Sequence, residues 1–238
     1  LMFNNISFIL YKPQLSENIG SCARAIKNFN FSKLIVINPK PTFPNDKIIA
    51  TSVGAQEIIK KSKVYNNLEY AIKDIDILIS TTARFRNKNI KHIKLNDLSK
   101  INFNKRVAFL FGPEASGLSN NEISFSNYLL QIPSNPNFKS LNLSHSLIIV
   151  AQTIFQILNL KKSKYSKSKK IKSASKKNIH AMSNLCIKHL EEINFFKPKE
   201  KKPKMLENLR SLFYKMDLSE KETRILSSVF ASLSKKVD

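Results

Sequence analysis

Five short apolar runs constrain what this chain can fold into: Ile6–Tyr11, Leu34–Asn38, Ile75–Ser80, Arg106–Phe111 and Leu129–Ile132. Each is shorter than an ordinary helix. Each is apolar on both alternating sets of side chains, as strands are when helices cover both faces of their sheet. The intervening segments carry apolar residues at helical spacing. Ser16 is positioned to cap a helix from Glu17 to about Phe29, in which Ala23, Ile26 and Phe29 share a face. Ile48–Lys61, broken at Gly54, and Leu68–Lys73 also read as helical, and Leu95–Lys100 as a helical turn. Ser119 with Glu122 forms a capping-box pattern over a short helix. Strands alternating with helices predict parallel pairing and an α/β fold.

The stretch Gln131–Gln156, QIPSNPNFKSLNLSHSLIIVAQTIFQ, concentrates polar groups at a strand end. Pro133 closes the strand, because it has no N–H for a sheet ladder. A polar loop containing Pro136 leads into an apolar helix through Leu158, which Ser140 or Asn142 is able to cap. Crevices of this kind, at the carboxyl ends of parallel strands, are where open α/β sheets bind ligands. The loops after the third, fourth and fifth strands are polar and punctuated by Gly or Pro, so they should cluster on that edge.

Only four glycines occur: Gly20, Gly54, Gly112 and Gly117. Gly20 lies inside a helix, where glycine costs about 1 kcal/mol relative to alanine. A close approach of backbone or ligand would justify it. Gly112 and Gly117 bracket a turn that carries Glu114.

The formal net charge is +23, which favours a polyanionic partner, most simply nucleic acid. The chain is also rich in Lys, Asn and Ile, and a compositional drift toward Lys would raise the charge without any such partner. Arginine is scarce, which makes Arg84 and Arg86 informative: a planar guanidinium contacts phosphates and stacked bases as lysine cannot. Cys22 and Cys186 stand far apart and the four histidines lack HExxH spacing, so neither a disulfide framework nor a metal site is expected. With no signal peptide or membrane span legible, a cytoplasmic setting is expected.

Three segments in order, NIGSCAR, FGPEASGLS and IPSNPNFKSLNLS, resemble the three signature motifs of the SpoU (TrmH) branch of SPOUT RNA 2′-O-ribose methyltransferases. Within that branch, the TTARFR loop at Thr81–Arg86, the LNLS helix start and the helical tail are most similar to the group that methylates nucleotide 32 of the tRNA anticodon loop. The resemblance implies an α/β trefoil-knot methyltransferase domain with a parallel sheet, plus a small C-terminal all-α domain. It implies a homodimer that shares its active site between protomers, with S-adenosylmethionine as the methyl donor. The cofactor-binding positions so implied are Thr81, Thr82, Ala83, Gly112, Ile132, Ser140, Leu141 and Asn142. The catalytic positions are Arg24, Asn18, Glu114, Ser140 and Asn142, and the RNA contacts are Arg24, Arg84 and Arg86. Arginine stays protonated, so Arg24 is expected to grip phosphate and stabilise developing charge rather than act as a base. His145 is expected to be a helix-face side chain.

Residues 161–178, almost wholly Lys and Ser, predict a solvated tether or phosphate-tracking arm. It divides residues 1–160 from a helical domain at 179–238. That domain carries helices at Ile179–Asn194, Pro203–Met216 and Ser219–Lys236. Apolar stripes on the last two run through Leu206, Leu209, Leu212 and Phe213, and through Ile225, Leu226, Val229, Phe230 and Leu233. The motifs serve any enzyme of the branch, so rRNA remains an alternative substrate to tRNA. A non-catalytic basic RNA-binding protein is the alternative to an enzyme.

Overall fold

The computed structural model describes residues 3–84, 89–161 and 172–233. Seven strands form one sheet: β1 (Ile6–Tyr11), β2 (Lys33–Ile37), β3 (Lys63–Tyr65), β4 (Ile77–Thr81), β5 (Lys91–Lys94), β6 (Val107–Phe111) and β7 (Tyr128–Gln131). Their order is β3-β2-β1-β6-β4-β7-β5, and every pairing is parallel. The α/β class with a parallel sheet, expected from the apolar runs, is the one observed. The runs themselves appear as β1, β2, β4, β6 and β7.

The helices are α1 (Ser16–Asn28), α2 (Asp46–Thr51), α3 (Gln56–Lys60), α4 (Leu68–Ile72), α5 (Asn120–Ile123), α6 (Leu143–Lys161), α7 (Lys176–Glu192), α8 (Lys202–Lys215) and α9 (Glu220–Leu233). Alternation along the strands divides their side chains between two layers. On one face Phe8, Leu10, Val36, Ile79 and Phe109 meet Ile19, Cys22 and Ile26 of α1 and Leu147, Val150 and Ile154 of α6. Phe8 lies between Phe31 and Phe109, with ring centroids 5.3 and 6.0 Å away. On the other face Ile9, Ile37, Leu78, Leu110 and Leu129 meet Leu68 and Ile72 of α4, together with Ile179 and Met182 of α7 and Phe213 and Tyr214 of α8. The C-terminal helices therefore share a core with the sheet.

Several local expectations change. Ser16 does not cap α1. Its hydroxyl accepts from Asn45 Nδ2 at 2.9 Å, and α1 starts without a side-chain cap of its own. Of the expected solvated segment 161–178, residues 162–171 lie outside the described residues, but residues 172–178 are built into the fold. Ser173 bridges Ser219, the Ala174 N–H donates to Leu218 O, and Ser175 caps α7. Lys176 is 1% exposed. Its Nζ donates to Asn127 Oδ1 and to Tyr214 O and lies 5.0 Å from the Tyr214 ring centroid, so the buried group has polar partners. The expected α9 stripe splits: Leu226 and Phe230 pack on the core, whereas Ile225, Val229 and Leu233 are exposed. Among the described residues, no helix is long and apolar enough to cross a membrane.

Candidate active site

The strand order sets β4 between β6 and β7, so the loops leaving their carboxyl ends converge. Thr82 N–H donates to Leu130 O at 3.0 Å and Thr81 Oγ1 to Leu110 O at 3.2 Å, tying the first loop to both neighbouring strands. Residues 81–84, 111–118 and 132–146 contribute to the walls of a cavity of about 330 Å³, within the range of small-molecule sites. Of the expected cofactor positions, Thr81, Thr82, Ala83, Gly112, Ile132, Ser140 and Leu141 all line it.

Gly112 is required by the turn. A Cβ there would meet Leu118 N at 2.5 Å and the Gly117 carbonyl carbon at 2.7 Å, so the loop folds back over a position with no side chain. Gly20 has a different reason. Its missing Cβ would meet Ile48 O at 2.5 Å and Thr51 Oγ1 at 2.0 Å, so the close approach is helix α2, not a ligand.

Beside the cavity runs a chain of hydrogen bonds. Asn142 Nδ2 donates to Asn18 Oδ1 at 2.9 Å, and Asn18 Nδ2 donates to Glu114 Oε1 at 2.7 Å. Glu114 also accepts the backbone N–H groups of Gln14 (2.9 Å) and Leu15 (3.4 Å). A carboxylate from the β6 loop thus sits where α1 begins, where a negative charge is favoured. Asn142 Oδ1 caps α6, accepting from Ser144 N–H at 2.8 Å and His145 N–H at 3.4 Å. Both ends of the Asn142 amide are engaged in holding loops, and Asn142 is not among the residues lining the cavity. Three expected catalytic positions, Asn18, Glu114 and Asn142, are therefore joined, and Ser140 faces the cavity beside them.

Arg24 is not brought to this cavity. It lies on the exposed face of α1, between Glu17, paired with Lys47 at 2.5 Å, and Lys27, paired with Glu57 at 2.9 Å. Arg84 does line the cavity, whereas Arg86 falls outside the described residues. His145 is exposed on α6, as expected. Cys22 is fully buried; burial first, then the Glu114 charge, pushes its thiol far above the ordinary range and leaves it unreactive. Among the described residues, no three His, Cys, Asp or Glu side chains gather to hold a metal.

Two contributors are not among the expected site residues. Gln14 Oε1 accepts the Ala115 N–H at 3.0 Å while its own N–H donates to Glu114, clamping the β6 loop from both sides. Lys139 lines the cavity beside Ser140.

The chain is similar to known proteins. The chain is 29% identical over 247 residues to the tRNA (cytidine/uridine/adenosine-2′-O-)-methyltransferase TrmJ of Pseudomonas aeruginosa, covering 98% of this chain and 95% of the relative. The crystal structure of TrmJ from Z. mobilis ZM4 superposes with a TM-score of 0.84 at 27% identity, covering 95% of this chain and 98% of that one. The SpoU methyltransferase AviRb of Streptomyces viridochromogenes, solved in complex with the cofactor AdoMet, shares the fold. Its TM-score is 0.52 at 20% identity, over 64% of this chain and 58% of that one. The model of the SpoU rRNA methylase family matches residues 5–152, the segment that supplies the seven strands, the loop cavity and the Asn18–Glu114–Asn142 chain, and the protein belongs to that family of RNA methylases.

Proposed function

We propose that this protein transfers a methyl group from S-adenosylmethionine to a ribose 2′-hydroxyl of tRNA, at nucleotide 32 of the anticodon loop, and that it works as a homodimer. The observation that carries this reading is the convergence of the 81–84, 112–117 and 132–142 loops on one cavity, braced by Asn18, Glu114 and Asn142. The TrmJ proteins of Pseudomonas aeruginosa and Z. mobilis, which match nearly the whole chain, support tRNA over rRNA.

The cavity suits the cofactor. Its walls come from three loop segments, with Ala83, Gly112, Ala115, Gly117 and Ser140 among the small residues, and the close return of residues 117–118 over Gly112 fixes the middle segment. Thr81, Thr82, Ala83, Gly112, Ile132, Ser140 and Leu141 would hold the cofactor there. When bound, it supplies an electrophilic methyl carbon on a sulfonium. The remaining task of the chain is to place a ribose hydroxyl in line and to stabilise the charge that develops on its oxygen, a problem of positioning and fixed electrostatics. Glu114 and Asn18 fix the start of α1, the helix that carries Arg24. Asn142 fixes the start of α6 and the polypeptide that presents Ser140. Arg24, exposed on α1, is available to grip a backbone phosphate and to stabilise an alkoxide, and in the homodimer it serves a site shared with the second protomer. Arg84 and Lys139 supply positive charge at the cavity for the RNA strand.

The test is methyl transfer from labelled S-adenosylmethionine to unmodified tRNA transcripts and to rRNA fragments, with the modified nucleotide mapped. Label on the ribose of nucleotide 32 is the expected result. Label on rRNA alone would replace the substrate. No transfer to either RNA, with RNA binding retained, would replace the enzyme by a binding protein.

A further inference from the structure

The loop from Ile132 to Asn142 carries a side chain that the fold does not use. Phe138 is 75% exposed. Phe29, Phe43 and Phe103, which also lie outside the strands and helices, pack against the core, and the exposed Phe195 has Phe196 as a ring partner 5.4 Å away. Among the described residues Phe138 has neither. Its position is nevertheless built. The Phe138 N–H donates to Asn135 O at 2.9 Å, the Asn137 N–H to Asn135 Oδ1 at 2.9 Å, and Ser134 Oγ to Lys139 O at 3.1 Å. These bonds close the turn on itself and leave the ring outside it.

The next three residues, Lys139, Ser140 and Leu141, line the cavity, and Arg84 lines it too. Consecutive Cα atoms are about 3.8 Å apart, so the ring stands within a nucleotide's length of the cavity wall. A ribose whose 2′-oxygen enters the cavity brings its base, or the base next to it, to this rim. Aromatic rings flanked by cations are the platforms on which unpaired bases stack, and any base satisfies them because every base has a π-face. We infer that Phe138 is the stacking platform for a nucleobase of the single-stranded RNA at the mouth of the cavity, with Lys139 and Arg84 holding the adjoining phosphates. This rests on the proposed RNA methylation and adds to it a residue that positions substrate without touching the reacting atoms.

The test uses the full chain with tRNA transcripts carrying 2-aminopurine at or beside the methylated nucleotide. Phe138→Leu keeps an apolar side chain but removes the π-face, and Phe138→Trp keeps it. On wild-type protein and on Phe138→Trp, binding should quench the aminopurine fluorescence. With Phe138→Leu the quench should disappear and KM for RNA should rise roughly tenfold, the size expected for one stacked base. The turnover number at saturating RNA, the affinity for S-adenosylmethionine and the dimer mass should stay unchanged. Unchanged KM and quench in Phe138→Leu, with wild-type methylation intact, would overturn the platform alone. A change of dimer mass that tracks the loss of RNA affinity would overturn it in favour of a contact between copies of the chain. Failure of the wild-type protein to methylate any RNA, with the quench and its loss in Phe138→Leu still seen, would instead sink the enzymatic reading and leave the platform standing.

Discussion

The side-chain amide of Asn18 donates to the Glu114 carboxylate at 2.7 Å, joining residues 96 positions apart. Glu114 closes three contacts at the entry to α1 at once. Replacing it by alanine strands the buried Asn18 amide and two backbone donors. Hydrogen bonds to charged groups are worth roughly 1.5–3 kcal/mol each, and partial rescue by water lowers the sum. Glu114→Ala should lose about 2–3 kcal/mol in urea unfolding, and S-adenosylmethionine affinity should fall with it in titration calorimetry. An unchanged urea midpoint would show the contact to be dispensable.

Arg24 makes the opposite prediction. It is exposed, so Arg24→Ala should leave thermal unfolding where it is and cofactor affinity within a few-fold. Methyl transfer should nevertheless be abolished. Arg24→Lys should recover little, since an ammonium lacks the planar fork. Loss of cofactor binding by a folded Arg24→Ala protein would contradict the assigned role.

Gly20→Ala inverts the usual helix rule. Alanine gains about 1 kcal/mol of propensity. Its methyl, however, would sit 2.5 Å from Ile48 O, a backbone atom that moves only with α2. Overpacking of this kind costs about 1–3 kcal/mol or more. The substitution should lower the melting temperature; a rise would mean that α2 is free to shift.

Lys176 predicts a pH dependence. Burial pushes its pKa down to about 7, against the pull of Asp217 and Asp76 and helped by Lys105. An unfolded lysine titrates near 10.4. Between those values the unfolded chain holds more protons than the folded one, so this group's contribution to stability rises with pH from about 7 to 10 and is lowest below 7. Every unit of depression corresponds to about 1.4 kcal/mol. The difference in unfolding free energy between the wild type and Lys176→Met should therefore move toward the wild type from pH 6.5 to 9.5. Parallel curves would mean that the lysine keeps its proton in the fold.

Much of this architecture is legible in the sequence, for reasons visible in particular elements. The five apolar runs became strands because both faces of the sheet are covered. β3 and β5 were not legible: Lys63-Val64-Tyr65 and Lys91-His92-Ile93-Lys94 are short edge strands dressed with lysine, and no apolar run marks them. The capping box at Ser119 is local and forms as expected, and Ser219 and Glu222 form a second one at the start of α9. The partner at the start of α1 is not local. It comes from Glu114, so the nearby Ser16 gave the wrong answer. Charge likewise misplaces Lys176, because composition counts a lysine as solvated and cannot register the acceptors on Asn127 and Tyr214 that receive it. The cavity residues were legible as motifs, whereas the Gln14 clamp exists only once the loops have met.

The sharing of one core by the sheet and the last helices bears on how the protein is made. A ribosome delivers β1 well before its partner β6, and the far face of the sheet, covered in part by α4, is completed only by α7 and α8. Until those helices emerge, Ile9, Leu78, Leu110 and Leu129 lack part of their cover, on a sheet whose pairings are long-range and slow to form. A nascent chain truncated before Lys176 should therefore be the species that chaperones hold and proteases cut, and release of the finished tail the event that ends its vulnerability.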